Sequence, residues 1–285
     1  MRQLLIFFIL AICSIKANAQ NKSAEYLKEH AVRINKDIVL SDSAYNLLSG
    51  YRLIMVGEMH GTKEPAKFVT GLMDLFASKK DSVQIGLEIP SGLMANYSNE
   101  HTDSSIYKSE FFAKGFDDGR SSYSWAEIIS NAKSNPLVNV FFFDVNSGEP
   151  NDQLHRDSMM YVKIKRNMIL HPGCKTITIS GNAHNMMVDN NGTTPAALYL
   201  KNDQALNLGN KICTLLHWSR EGTMRNNSGK GAGLELKEVK REDDVFSQSV
   251  DSDNYVVLYS SNVGQRYSGV FYTKYMTAAK MVKDK

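Results

Sequence analysis

Acidic and imidazole side chains follow several apolar runs of this 285-residue sequence, at points where strands are expected to end. Glu58 and His60 occur in VGEMHG, and Glu88 occurs in GLEIP. Asp144 follows in FFDVN, and His184 follows in SGNAHN. Imidazole and carboxylate groups are the commonest general acids and bases of enzymes. These residue types therefore indicate acid–base chemistry, provided that the fold brings them together.

The spacing within VGEMHG favours a shared pocket for its two ionisable groups. Glu58 and His60 are two positions apart, so an extended backbone directs both side chains to one side and Met59 to the other. Gly57 and Gly61 bracket them and permit a sharp turn or a close ligand approach. The stretch predicts that one pocket receives both groups.

Apolar strands alternating with amphipathic helices are the elements that would position these groups. The patterns predict strands over 51–56, 83–89, 137–145, 175–180, 210–218 and 254–261, helices over 22–48, 64–80, 124–133 and 151–170, loops over 95–123 and 219–233, and a C-terminal helical tail. Continuously apolar strands are typical of a parallel sheet covered on both faces. The C-terminal ends of such strands share one edge, where ligand sites form. The sequence therefore predicts an α/β fold, a single domain with a mainly parallel central sheet flanked by helices and a site at the C-terminal strand ends.

Each of these groups has a plain structural alternative. Glu58 has the charge that favours the start of the following helix. His60 and His184 are of a residue type that is often partly buried for structural reasons. Asp144 follows a strand, where aspartate commonly forms a turn.

The long helix and the turn before His184 supply further candidates for substrate-binding or supporting roles. His155 lies on the apolar stripe of the helix, so packing and pocket lining are both open. Arg156 is such a candidate too, but it lies four positions after Asp152, which allows a surface ion pair. Asn182 follows a glycine at the end of its strand and completes the set with Asp144.

The order of VGEMHG, GLEIP, HRDSMM and ISGNAHN resembles the erythromycin esterase / ChaN / Tiki superfamily, over about residues 50–190. The resemblance implies an α/β fold with these motifs around one pocket. It implies a core site of Glu58, His60, Glu88 and His184, with Arg156 on a supporting helix. One residue separates Glu58 from His60, where the esterases have two, and the chain is shorter than they are. These departures favour the ChaN-like branch, associated with haem binding, and the Tiki-like branch of metal-dependent proteases.

The first functional hypothesis is an exported hydrolase that activates water against an ester or amide bond. His60 or His184 would act as the general base, and Glu58 or Glu88 would orient it. The sequence contains no Gly-x-Ser-x-Gly elbow, which argues against a serine nucleophile. A metal-assisted form, with zinc or manganese held by Glu58, His60 and His184, is the open variant of this hypothesis.

The second hypothesis is a non-catalytic protein of the ChaN type that binds haem or a similar iron compound. Histidine, tyrosine and methionine all serve as axial ligands of haem iron. Tyr97, His101 and Tyr107 in the loop over 95–123 are candidates, and nothing in the sequence selects one of them. A scaffold with a degenerate pocket is the third hypothesis, and it requires the acidic and imidazole groups to lie far apart.

The first 20 residues, MRQLLIFFILAICSIKANAQ, are typical of a secretory signal peptide. Ala17-Asn18-Ala19 supplies the cleavage site, so residues 1–19 are predicted to be removed and residues 20–285 to form the single domain. The protein is then exported, either periplasmic or secreted. A lipoprotein anchor at Cys13 is disfavoured because the bulky Ile12 precedes it.

Net charge and the length of the apolar runs limit the classes of partner that the sequence favours. The formal net charge is only +3, which gives no electrostatic case for nucleic acid. After the leader no apolar run reaches the length of about 18 residues that a membrane span needs. A small-molecule ligand or substrate is therefore expected, and the oligomeric state is open. Cys174 and Cys213 remain after cleavage, and both free thiols and a disulfide are compatible with export.

Overall fold

The computed structural model describes residues 23–94, 106–115, 118–150, 152–227, 234–242, 245–260 and 265–284. The predicted signal peptide, Tyr97 and His101 lie outside the described residues.

One mainly parallel sheet runs through these residues. Its strands are β1 (Val32–Ile34), β2 (Leu53–Glu58), β3 (Val83–Pro90), β4 (Val138–Asp144), β5 (Lys175–Gly181), β6 (Ile212–Asn227), β7 (Leu234–Lys240), β8 (Asn254–Leu258) and β9 (Gly269–Met276). Their order is β1-β8-β9-β6-β2-β5-β3-β4, and β7 pairs with β6 outside this path. Five pairings are parallel, and three are antiparallel. The predicted α/β class and the mainly parallel sheet are therefore confirmed.

Helices cover both faces of the sheet. They are α1 (residues 23–30), α2 (Asp42–Leu48), α3 (Glu64–Ser78), α4 (Glu110–Lys114), α5 (Tyr123–Lys133), α6 (Gln153–Leu170), α7 (Ala196–Asn202) and α8 (Val245–Ser249). Side chains alternate along β2, so Ile54 joins a core with α3 and α5, whereas Leu53 joins a core with α6 and α7. This double coverage explains why every residue of β2 is buried.

The predicted helix over 22–48 is wrong in its middle. Residues 23–30 and Asp42–Leu48 are helical, but Val32–Ile34 form a strand that pairs antiparallel with β8. The β-branched Val32 and Ile34 suit that pairing. Ile38 has a φ of 62°, which a right-handed helix excludes.

Two predictions for the C-terminal third are also wrong. The first is the loop over 219–233. Residues 219–227 instead continue strand β6, and this part of β6 pairs antiparallel with β7. The predicted helical tail contains β9, which pairs with both β6 and β8. Aromatic and β-branched residues in GVFYTKYM favour the strand, and tertiary pairing decides the outcome.

Both cysteines of the described residues are free thiols, with Cys213 buried and Cys174 partly exposed. No helix in the described ranges is long and apolar enough to cross a membrane.

Replacing Phe68 with alanine should lower the free energy of unfolding by about 3–5 kcal/mol, because it empties a closed part of the core. Phe68 on α3 is fully buried and stacks on Phe271 of β9, with 4.1 Å between ring centroids. Urea unfolding measures the loss. Val162→Ala is the control: this side chain is 49% exposed, so we expect almost no change. Equal effects of the two substitutions would contradict this account of the core.

Candidate functional site

The strand order brings two of the predicted strand-end carboxylates, Glu58 and Glu88, to the end of β5. β5 lies between β2 and β3, and all three run parallel. Glu58 at the end of β2 stands opposite Gly181 at the end of β5. Glu88 near the end of β3 accepts a hydrogen bond from the Gly181 N–H at 2.8 Å. Gly181 is therefore the point where the two carboxylate-bearing strands meet.

Glu58 and His60 form a direct pair. Oε1 of Glu58 lies 2.5 Å from Nδ1 of His60. Oε2 of Glu58 accepts a bond from the indole N–H of Trp125 on α5 at 3.1 Å. Glu58 is only 2% exposed, and protein groups form hydrogen bonds to both of its oxygens, as a buried carboxylate requires. The hydrogen bond to Nδ1 leaves Nε2 of His60 available to the site.

Close packing at Gly181 fixes the imidazole of His60. A Cβ built on Gly181 would lie 2.7 Å from Nε2 of His60, a separation that real contacts do not allow. The missing side chain of Gly181 is thus a steric requirement of the site, because the ring occupies that space.

Two arginines enclose the Glu88 carboxylate, which is fully buried. Arg156 of α6 donates from Nη2 to Oε1 at 2.5 Å. Arg120 places Nη1 3.0 Å from the same oxygen and also donates to the Glu88 carbonyl at 2.7 Å. The surface ion pair between Arg156 and Asp152 is therefore wrong, because Arg156 turns into the site.

Asp144 completes this cluster, and it is a partner of both arginines. Its carboxylate accepts bonds from Arg156 at 2.9 Å and from Arg120 at 2.7 Å. The remaining side of Arg120 contacts Asp118 at 2.6 Å. Asp144 is therefore more than a turn residue, although its Oδ1 also accepts from the N–H of Val145.

His184 forms a second imidazole–carboxylate pair. Its Nδ1 lies 2.8 Å from Oδ1 of Asp157 on α6. Asp157 also accepts from the Ala196 N–H at 2.8 Å, which anchors the carboxylate at the start of α7. Nε2 of His184 faces Oε1 of Glu88 at 3.7 Å. The short turn Asn182–Asn185 after β5 thus places His184 on the same carboxylate as the two arginines.

The arginines keep their acidic partners ionised. Burial acts to raise the pKa of Glu88, but the positive charge of Arg120, followed by the nearby imidazoles and Arg156, holds it below its usual value. Asp144 is buried too, yet its hydrogen bond to Arg156 and the charge of Arg120 lower its pKa to about 2. Arg120 likewise lowers the pKa of Asp118 against the effect of burial. These carboxylates therefore stay charged through the neutral range.

The Glu58–His60 pair retains a proton well above neutrality. Burial alone lowers the pKa of His60, but the hydrogen bond to Glu58 and the charges of Glu58, Glu88 and Asp118 raise it to about 9. Burial raises the pKa of Glu58, and His60 opposes that shift. His60 therefore stays protonated through the neutral range.

A cavity of about 910 Å³ lies beside the cluster. Arg120, Asp144 and Arg156 form its polar wall, and Leu93 and Phe111 contribute apolar surface. Pockets of this size and mixed lining accommodate small organic molecules.

His155 and Asn182, two of the predicted substrate-binding or supporting residues, make their hydrogen bonds outside the carboxylate–arginine cluster. His155 does not join the cluster: its side chain is 64% exposed, and Nδ1 lies 2.6 Å from Asp152. Asn182 is close by, but its amide bonds to the backbone of β6 through the N–H and C=O of His217. The described residues contain no group of three or more His, Cys, Asp or Glu side chains arranged to hold a metal ion, so the metal set Glu58, His60 and His184 does not fit.

The candidates for a haem ligand gain no support. Tyr107 is part of the described chain, and its ring packs 5.5 Å from the ring of Tyr123. Tyr97 and His101 lie outside it.

Four residues of the site were missed by sequence reasoning. Asp157 was detectable, because it directly follows Arg156 in HRDSMM. Trp125 gave a weaker signal: a buried indole N–H needs an acceptor. Arg120 and Asp118 come from the polar segment predicted as a loop, and no periodicity there identifies a partner.

The proton of the Glu58–His60 pair should be lost with an apparent pKa of about 9 in a histidine NMR titration. Because this pKa exceeds the usual 6.5, the pair stabilises the fold fully below about pH 6.5. That stabilisation is lost as the pH rises through about 9. Glu58→Gln should move the titration of His60 downwards, because the strongest negative partner is removed. A wild-type His60 that titrates near 6.5 would refute the pairing.

Gly181→Ala should displace the His60 ring and lower its pKa, because the added methyl group would lie only 2.7 Å from Nε2. The NMR titration of His60 measures the change. Gly173→Ala is the matched control, since a Cβ at Gly173 has no atom within 4 Å. An unchanged His60 signal in Gly181→Ala would contradict the close packing.

Comparisons with known proteins give the relationship of the fold. No protein-family model matches the chain, and no curated protein matches it. A Bacillus cereus protein of known structure superposes with a TM-score of 0.71 at 12% identity, covering 92% of this chain and 99% of that chain. An erythromycin esterase mutant in its open conformation superposes with a TM-score of 0.62 at 12% identity, over 88% of this chain and 99% of the esterase.

A haem-bound ChaN of Campylobacter jejuni has a lower TM-score of 0.38 at 11% identity, over 66% of this chain and 91% of ChaN. A TM-score this low does not favour the ChaN-like branch over the esterase-like or the Tiki-like branch. The resemblance noted from the motifs is confirmed as a shared architecture: this chain has the fold seen in erythromycin esterase.

Proposed function

We propose that this chain is an exported hydrolase-like protein that activates water against an ester or amide bond. One observation carries the proposal: two imidazoles, each bound through Nδ1 to a buried carboxylate, converge on the end of β5. His60 is paired with Glu58, and His184 is paired with Asp157. In both pairs Nε2 remains for the reaction, which is the arrangement that acid–base catalysis requires.

His184 is the better general base. Asp157 accepts a hydrogen bond from the Nδ1–H of His184 and thereby selects the tautomer whose Nε2 has a free lone pair. This orientation matches the role of the aspartate in serine hydrolases, with water in place of the serine hydroxyl. Glu88 is bound by Arg120 and Arg156 and stays ionised, so it stabilises the imidazolium that forms after proton transfer.

His60 is the better general acid. The Glu58–His60 pair holds its proton until about pH 9, so Nε2 carries a hydrogen at neutral pH. With 27% of its side chain exposed, His60 is also the more accessible of the two imidazoles. A protonated Nε2 stabilises negative charge on a substrate oxygen and then protonates the leaving group.

The reaction balances with these two groups. Water attacks the carbonyl carbon while Nε2 of His184 takes a proton from the water. The carbon–oxygen or carbon–nitrogen bond breaks, and Nε2 of His60 gives its proton to the leaving alcohol or amine. The products are a carboxylic acid and that alcohol or amine. Proton exchange with solvent restores both imidazoles.

Two further parts of the proposal rest on the sequence and on similar proteins. The leader over residues 1–19 supports export to the periplasm or beyond. The erythromycin esterase of similar fold supports ester chemistry on this architecture. The ChaN-like motifs suggest haem binding as the alternative function, and the experiment below distinguishes it from hydrolysis.

Hydrolysis of a panel of p-nitrophenyl esters and peptide amides tests the proposal. His184→Gln and Asp157→Asn should each lower kcat by about 10²–10⁴-fold, because the general base is lost or misoriented. Glu58→Gln should lower kcat and shift the alkaline limb of the pH profile below about 9, because His60 loses its proton earlier.

His155→Gln is the matched control for these variants, since His155 is an exposed imidazole on the same helix as Asp157. It should keep the wild-type rate. Wild-type rates in both His184→Gln and Asp157→Asn would refute the assigned roles. A Soret band with added haemin, in a protein without any hydrolysis, would replace the hydrolase by a binding protein.

A further inference from the structure

A third histidine, His217 on β6, lies outside both imidazole–carboxylate pairs and contacts the turns that carry them. It is fully buried, and its ring stacks on Phe271 with centroids 5.5 Å apart. Nδ1 accepts from the Met59 N–H at 3.4 Å, and Nε2 lies 3.1 Å from the hydroxyl of Thr273.

The chemistry of His217 suits a fixed acceptor and excludes a proton carrier. Burial, helped by the charge of Arg241, lowers its pKa to about 3, so the ring is neutral. With the single ring proton on Nε2 and donated to Thr273, Nδ1 presents a lone pair to the Met59 N–H. This tautomer is assigned from the hydrogen-bond network.

The backbone of His217 holds the other turn. Its N–H donates to Oδ1 of Asn182 at 3.0 Å, and its C=O accepts from Nδ2 of the same amide at 3.1 Å. Asn182 begins the turn that carries His184. The amide reaches from β5 to β6 across the end of β2, where a Cβ on Gly57 would lie 2.1 Å from its Oδ1.

We propose that His217 is the positioning residue that aligns the two histidine-bearing turns. Its side chain holds Met59, which lies between Glu58 and His60, and its backbone holds Asn182, two residues before His184. Both turns are thus hydrogen-bonded to the same residue of β6. The effect of this alignment on turnover rests on the proposed hydrolase function. The alignment itself is independent of that function.

Three substitutions separate the acceptor from the rest of the ring. In His217→Asn the amide oxygen takes the place of Nδ1, bonded to Cγ as Nδ1 is, so the acceptor for Met59 is kept. His217→Gln puts its polar group near the Nε2 position, and His217→Phe keeps only the ring. Hydrogen exchange of the Met59 amide, measured by NMR, is the primary readout. The Leu72 amide of the buried helix α3 reports global stability as a reference.

Relative to Leu72, the Met59 amide should exchange about tenfold faster in His217→Gln and His217→Phe, the effect of one lost hydrogen bond. His217→Asn should keep nearly wild-type protection. The proposal is overturned if Met59 exchanges equally fast in the Asn and Gln variants. If His217→Phe does not fold, the Asn and Gln variants still decide.

Turnover provides the second readout. With the ester panel, kcat should be retained better in His217→Asn than in His217→Gln. A wild-type protein without any hydrolysis defeats the proposed function, yet the Met59 exchange still tests the positioning role. Equal loss of kcat in both variants, with Met59 protected only in His217→Asn, would limit the role of His217 to the fold and overturn its part in catalysis.

Discussion

The buried carboxylate of Glu88 is the constraint on which the site depends. A fully buried charge costs several kcal/mol unless charged partners and hydrogen bonds surround it. Here the donors are Arg120, Arg156 and the N–H of Gly181. They come from a segment outside the regular elements, from α6 and from the end of β5. One carboxylate on β3 therefore fixes three separate parts of the chain around the same edge of the sheet.

The ionisable groups at this edge differ in how firmly they hold their charge. Glu88 and Asp144 are held ionised by two arginines that are themselves permanently charged. Both carboxylates keep their negative charge at neutral pH, so they act on their neighbours through a fixed electrostatic field. The imidazoles differ from them because each has only one short carboxylate contact through Nδ1. The arginine–carboxylate cluster thus sets the electrostatic field around both imidazoles.

Much of the site was predictable because a parallel sheet gathers the C-terminal ends of its strands. That rule placed Glu58, Glu88 and His184 together although they are far apart in sequence. It could not separate His155 from Arg156, because adjacent helical residues point about 100° apart and either one fits the pattern. The role of Arg120 could not be predicted from the sequence, since its contacts are long-range and its own segment has no periodic pattern.

The fold was predictable in its parallel half and less so at the other end of the sheet. The early parallel strands are continuously apolar and easily recognised, whereas β1 and β7 depend on antiparallel pairings that only the tertiary structure provides. That less predictable half still contacts the candidate site. His217 lies on β6, which joins the two halves, and it contacts the turns that carry both paired imidazoles. Through His217, β6 therefore contacts both of the strand-end turns that carry the paired imidazoles.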